Sequence, residues 1–206
     1  MSKAGPSTPG NSSRVLSFKG HARLRHRLVL SLLSRRPVRI DRIRPDDDEP
    51  GLKAHEVSFL RLIEKLTQGS RLEISYTGTS LLFHPGTIQN GQVTHSCPHE
   101  GEGRAVGWYL EPLLALAPFG KKDLVLTLRG VTTNAVDPSV DTIRTSGLPH
   151  LAMFLDRDGV ELRVRARLAG FCFPLWVAGV GNGTDTPRLP SRRLRNEVTH
   201  PWEAEK

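Results

Sequence analysis

The stretch RVLSFKGHARLRHRLVLSLLSRRPVRIDRIR, residues 14–44, decides the fold, because it changes its apolar period twice. Residues 14–18 read as a short strand. Over 23–34, Leu24, Leu28 and Leu32, with Val29 and Leu33 beside them, form a stripe at helical spacing. Pro37 ends that helix, since it has no N–H for the next turn. Val38, Ile40 and Ile43 then interleave with Arg39, Arg42 and Arg44, which predicts a strand over 38–43. Strand, helix, strand in that order points to sheet layers crossed by helices.

Working outward, the acidic run of Asp46, Asp47, Asp48 and Glu49, followed by Pro50 and Gly51, is a turn by composition. Residues 53–68 form the clearest helix: Val57, Leu60, Ile63 and Leu66 are spaced by three, and Gly69 is a natural stop. Two β runs, 71–76 and 80–84, are joined at Thr77, Gly78 and Thr79, and a further strand is expected at 92–96. A second cycle follows. Residues 104–117 are helical by spacing, with Pro112 expected to kink the helix or mark its start. Strands are expected at 123–129 and 160–167, with a helix over 140–154 broken near Gly147 and Pro149. The fold class is α+β, βαβαββ followed by αβαβ, with helices on one face of each sheet. Four segments are expected: a disordered tail at 1–13, a first repeat at 14–99, an incomplete second repeat at 100–168, and a divergent, disordered tail at 169–206. Residues 171–180 are apolar without a clean period, and the sequence after them turns rich in Pro, Gly and Arg.

Charge narrows the function. The chain carries a net charge of +8, and eleven of its 29 Lys and Arg precede residue 45, against one acid, Asp41. Focused positive charge is the footprint of a nucleic-acid contact, and arginine chosen over lysine favours forked phosphate contacts. The expected anion-binding residues are Arg23, Arg25, Arg27, Arg39, Arg42 and Arg44, the first three at the opening turns of a helix. His21 and His26 are expected to share that anion site. No apolar run approaches the roughly 18 residues a membrane helix needs, so no membrane contact is expected. The Ser, Pro and Gly of the first residues do not read as a secretory signal. Two cysteines, Cys97 and Cys172, far apart in unlike contexts, suggest free thiols in a reducing compartment. His95, Cys97 and His99 alternate, but zinc takes about four ligands and a second pair is missing, so they read as incidental histidines in a loop. The acidic run 46–49 is read as a loop balancing the arginines rather than a magnesium site, because consecutive side chains diverge. No metal or cofactor is expected.

Several stretches, in order, resemble the RNA 3'-terminal phosphate cyclase family. They are Phe18-Lys19-Gly20, residues 25–34, Arg36-Pro37-Val38, Pro50-Gly51-Leu52, Gly78-Thr79-Ser80-Leu81 and Gly107-Trp108-Tyr109-Leu110-Glu111. The most specific are Leu128-Arg129-Gly130-Val131-Thr132 and Asp137-Pro138-Ser139-Val140-Asp141. They are most similar to the cyclase-like branch that acts in ribosome biogenesis. The resemblance implies a fold of βαβαββ repeats with a smaller inserted domain, of which this chain holds the first repeat and most of the second. It also implies a truncated, non-catalytic factor of small-subunit rRNA processing in the nucleolus. Its partners would be pre-rRNA, a ribosome-assembly GTPase and the small-subunit processome. Active cyclases carry a Glu-Gly-Gly-Gly turn at the first helix, where this chain has Gly20-His21-Ala22-Arg23-Leu24-Arg25. The family's Gly-Ser-Ala-Gly stretch corresponds here to Gly101-Glu102-Gly103-Arg104. The family's nucleophilic histidine lies beyond the resembling part, and without a nucleophile no covalent nucleotidyl step is expected. The alternative is an RNA-processing enzyme, either a 3'-phosphate cyclase or a metal-dependent endonuclease using the acidic run.

Overall fold

The computed structural model describes residues 14–98, 103–155, 161–164 and 173–178. In the first unit, β1 (Leu16–Lys19), α1 (Leu24–Ser34), β2 (Val38–Asp41), α2 (Ala54–Leu66), β3 (Thr67–Gln68), β4 (Arg71–Ile74) and β5 (Leu81–His84) follow in order. After β6 (Thr87–Ile88) come β7 (Gly91–Ser96), α3 (Val106–Leu116), β8 (Leu124–Gly130), α4 (Val140–Thr142), α5 (Leu148–Leu155), β9 (Glu161–Val164) and β10 (Phe173–Ala178). One sheet has the order β1-β2-β5-β4 and the other β7-β8-β10-β9. In each, the first pair is parallel and the remaining pairs antiparallel. The fold is therefore α+β, with one βαβαββ topology used twice. The short ribbon of β3 and β6 joins the two units in sequence.

Each sheet buries one face. Val38 and Ile40 on β2 lie opposite Phe83 and Leu81 on β5, and all four are buried. Arg39, one residue out of phase, points to the open face, as the strand period of two requires. Leu24, Leu28 and Leu32 of α1 and Phe59, Leu60, Ile63 and Leu66 of α2 cover the buried face. In the second unit Leu124, Leu126 and Leu128 of β8 are buried the same way. Both units share one continuous core: Trp108 and Tyr109 of α3 meet Phe59 of α2 with ring centroids 5.6 Å and 6.4 Å apart.

Several sequence expectations are corrected by this topology. The strand at 91–96 does not close the first repeat, as a boundary at 99 supposed; it opens the second sheet, paired in parallel with β8. Phe173–Ala178 falls in the stretch read as tail from 169, yet it forms β10, hydrogen-bonded to both β8 and β9. The second sheet thus has the same four-strand set as the first. β2 stops at Asp41 because Arg42 takes a left-handed backbone, φ 56°. Pro112 neither starts nor breaks α3, which runs through it. The predicted break near Gly147 is a π-helical turn, Ile143–Gly147, that carries α4 into α5 without interruption, and Pro149 lies inside this continuous helical run, two residues after the wide turn. The rest of the 169–206 segment and the 1–13 tail lie outside the described residues, as does His99.

His95 is a strand residue, not a loop residue. It is buried on β7, where its Nε2 lies 2.8 Å from the Ser58 Oγ of α2. Burial, reinforced by the charges of Lys65 and Arg61, lowers the imidazole from 6.5 to about 4. The unfolded chain therefore takes up the proton first. Stability present above pH 6.5 is lost as the pH falls through that window towards 4. By pH 5 the expected loss from this group is about 2 kcal/mol. Urea denaturation at pH 7 and pH 5 measures it, and His95→Gln should flatten the difference.

Candidate nucleic-acid interface

The parallel strands β1 and β2 both end at one rim of the first sheet, here called the upper rim. Gly20, with φ +73°, turns the chain out of β1, and its N–H donates to the Asp41 carbonyl at 2.8 Å. Arg23 caps α1 in a left-handed conformation without a side-chain cap. The Leu24 amide turns back to the His21 carbonyl at 3.2 Å, and no side chain caps the turn, which leaves this helix start beside the cations suited to an anion. A cleft of about 260 Å³ opens here, lined by His21, Arg23, Arg25, His26, Arg104 and His55 among others.

The six expected arginines have different duties. Arg23 and Arg42 are exposed and make no side-chain hydrogen bond or ion pair among the described residues. Arg27 donates to the Gly20 carbonyl at 2.8 Å while its guanidinium lies 4.8 Å from the Phe18 ring centroid, so it stays at the rim but is anchored. Arg39 lies on the open sheet face, with Nε 2.9 Å from Asp41. The Asp41 carboxyl is drawn below its ordinary value by the Ser80 hydroxyl first and Arg39 second.

Two of the six are committed within the protein. Arg25 lies 4.4 Å over the Trp108 ring, 3.2 Å from Glu111, and donates to the Trp108 carbonyl. That carbonyl is the one Pro112, four residues on and lacking an N–H, cannot serve. Arg25 supplies the missing donor and clamps α1 to α3. Arg44 is buried and forked onto Glu56, both N···O distances being 2.8 Å, with a third bond to the Gly51 carbonyl. Burial alone would raise the Glu56 carboxyl, but the Arg44 hydrogen bonds and the Lys53 amide outweigh it and hold it low. This ion pair forms the floor of the cleft.

Arg104 is the cleft residue that the charge argument missed, because it belongs to the second unit. Asp137 holds it at 3.0 Å and also accepts from the Ala105 amide at the start of α3. The loop carrying Asp137 presses so closely on α3 that a Cβ at Gly107 would lie 1.9 Å from the Pro138 carbonyl. Two of the sequence stretches noted above, Gly107-Trp108 and Asp137-Pro138, are thus the two sides of one contact. His55, also in the cleft, is edge-on to Trp108 at 5.0 Å, and burial lowers its imidazole, favouring the neutral form. Asp46, Asp47, Asp48 and Glu49 are all exposed, and among the described residues no three His, Cys, Asp or Glu side chains converge as metal ligands.

Comparison with known proteins gives a consistent family. Residues 16–172 match the family model of RNA 3'-terminal phosphate cyclase. The chain is 51% identical over 153 residues to the RNA 3'-terminal phosphate cyclase-like protein of Mus musculus, covering 74% of this chain and 40% of that protein. It is 48% identical over 158 residues to rRNA processing protein rcl1 of Schizosaccharomyces pombe, covering 76% and 43%. The match to rRNA processing protein RCL1 of Saccharomyces cerevisiae is 42% over 144 residues, covering 70% and 38%. The chain therefore spans about 40% of the length of the relatives it matches. With the matched residues running through the first unit and through the second as far as the residue before β10, the chain belongs to the RNA 3'-terminal phosphate cyclase family.

Proposed function

We propose that this chain serves rRNA processing in ribosome biogenesis by holding RNA at the upper rim of its first sheet, without carrying out cyclisation. The observation that carries the reading is the cleft at the start of α1, where cations gather at a helix turn without a side-chain cap. The names of the relatives from the two yeasts, rRNA processing proteins, support the same reading. Within it, Arg23, Arg27 and Arg42 contact phosphate from the first unit and Arg104 from the second. Arg25 and Arg44 shape the cleft from behind. The site of action is the nucleolus, with pre-rRNA, a ribosome-assembly GTPase and the small-subunit processome as partners.

Filter binding of pre-rRNA across a salt series tests this. Each phosphate contact should add about −0.7 to the slope of log affinity against log salt for single strands. Changing Arg23, Arg27 and Arg42 to Ala should weaken binding by about tenfold or more and flatten the slope by about 2. A flat salt response of the unaltered chain would sink the reading. End-labelled RNA bearing a 3'-phosphate, incubated with magnesium and ATP, should stay intact and uncyclised.

A further inference from the structure

The opposite rim of the first sheet carries a second basic surface. Arg14, Arg35, Arg36 and Arg71 are all exposed there, and none makes a side-chain hydrogen bond or ion pair among the described residues. The sheet places them together. Leu16 donates to the Pro37 carbonyl, Val38 pairs with Phe83, and Arg71 pairs with His84. Val15, Pro37, His84 and Arg71 thus stand level across the ends of four adjacent strands, with Arg14 one residue beyond Val15. At the usual strand spacing the row is about 14 Å wide. Arg35 and Arg36 project just before Pro37. The nearest acids on these elements are Glu73, two residues further along β4, and Glu64 in the last turn of α2, and neither is paired with this row.

The end of α1 accounts for part of this charge, since cations complement the carbonyl end of a helix. It accounts for Arg35 and Arg36 only. Arg71 opens β4 and Arg14 lies just ahead of β1, away from any helix end, where the dipole is small. Like charges gathered on a rigid frame without carboxylate partners repel one another, and a polyanion relieves that repulsion. Forked guanidinium groups match phosphate oxygens.

We propose that this lower rim is a second RNA-binding surface, taking the phosphodiester backbone without reading bases. Its ligand class rests on the rRNA-processing reading given above, but its residues are separate from the cleft. The full chain would carry RNA contacts at both ends of one sheet.

The test is fluorescence anisotropy of a labelled oligouridylate with the full chain and with the triple variant Arg35→Gly, Arg36→Gln, Arg71→Gln. Arg35 has φ 54°, a conformation glycine adopts freely, so its replacement removes charge without straining the backbone. A thermal melt checks that the variant is folded. The expected result is a tenfold or greater loss of affinity and a salt slope smaller by about 2. Normal binding by the folded variant, with RNA bound by the parent chain, overturns the lower rim alone. No binding by the parent chain overturns both RNA surfaces. If poly-glutamate of equal charge binds through the same three arginines as tightly as the oligouridylate, the surface suits acidic protein and the RNA assignment is overturned.

Discussion

Arg25→Ala is expected to lower the unfolding free energy by about 4 kcal/mol, measured by urea denaturation near neutral pH. The loss has three sources. The Trp108 carbonyl, whose i+4 partner is Pro112, is left without a donor, a cost of about 1–3 kcal/mol for a buried polar group. The guanidinium over the Trp108 ring is worth about 1–2 kcal/mol where it is largely desolvated. The ion pair to Glu111, whose side chain is 47% exposed, adds little. The origin can be isolated by a cycle with Pro112→Ala. Restoring an N–H at 112 gives the Trp108 carbonyl a donor within its own helix, so removing Arg25 should then cost distinctly less. An equal cost in both backgrounds would show that the carbonyl is not what Arg25 serves. Lysine should rescue poorly, because an ammonium lacks the planar guanidinium face that lies over the Trp108 ring.

Glu56→Gln is expected to cost about 3–4 kcal/mol, because it leaves the Arg44 charge buried without a counter-charge. The two side chains are only 7% and 5% exposed, so water cannot substitute for the lost carboxylate. The amide can accept one Arg44 hydrogen bond, but not two in parallel. Standing at the Oε2 place, its oxygen keeps the Lys53 amide and one Arg44 bond, but its NH2 then faces the second Arg44 nitrogen, donor against donor. Replacing both members, Arg44→Met with Glu56→Leu, should recover much of the stability, since an apolar pair of similar volume avoids the desolvation cost. Chemical denaturation of the two variants decides it. A double variant no more stable than Glu56→Gln would show that the pair is needed for more than neutralising its own burial.

Much of this fold was legible in residue order. The stripe of Leu24, Leu28 and Leu32 and the spacing of Val57, Leu60, Ile63 and Leu66 are local patterns, and local patterns are what periodicity reports. The family was legible too, through short stretches that the structure brings into contact, such as Gly107 against Pro138. What escaped reading depends on distant partners. Arg25 looks like its neighbours Arg23 and Arg27 until Pro112 and Trp108 are placed beside it. Arg44 looks like Arg42 until Glu56 folds over it. β7 could not be assigned to a sheet from sequence, because parallel pairing with β8 needs a helix between the partners and leaves no turn signal. β10 has neither alternation nor a nearby hairpin turn, so its apolar run could be strand or helix. The cleft was half visible: the charge count found the arginines of the first unit, and Arg104 had no signal of its own.

The single core shared by two units of like topology bears on how the chain is made. Synthesis runs from the N-terminus, and domains that can fold as units do so while the rest is still emerging. The first unit here cannot finish that way. Phe59 on α2 waits for Trp108 and Tyr109, and Arg25 on α1 waits for a carbonyl in α3. Until the ribosome has released the whole of α3, the nascent first unit holds a sticky aromatic face and an arginine with nothing to clamp. Chaperone protection belongs to that interval, and a pause in translation before residue 116 would prolong it.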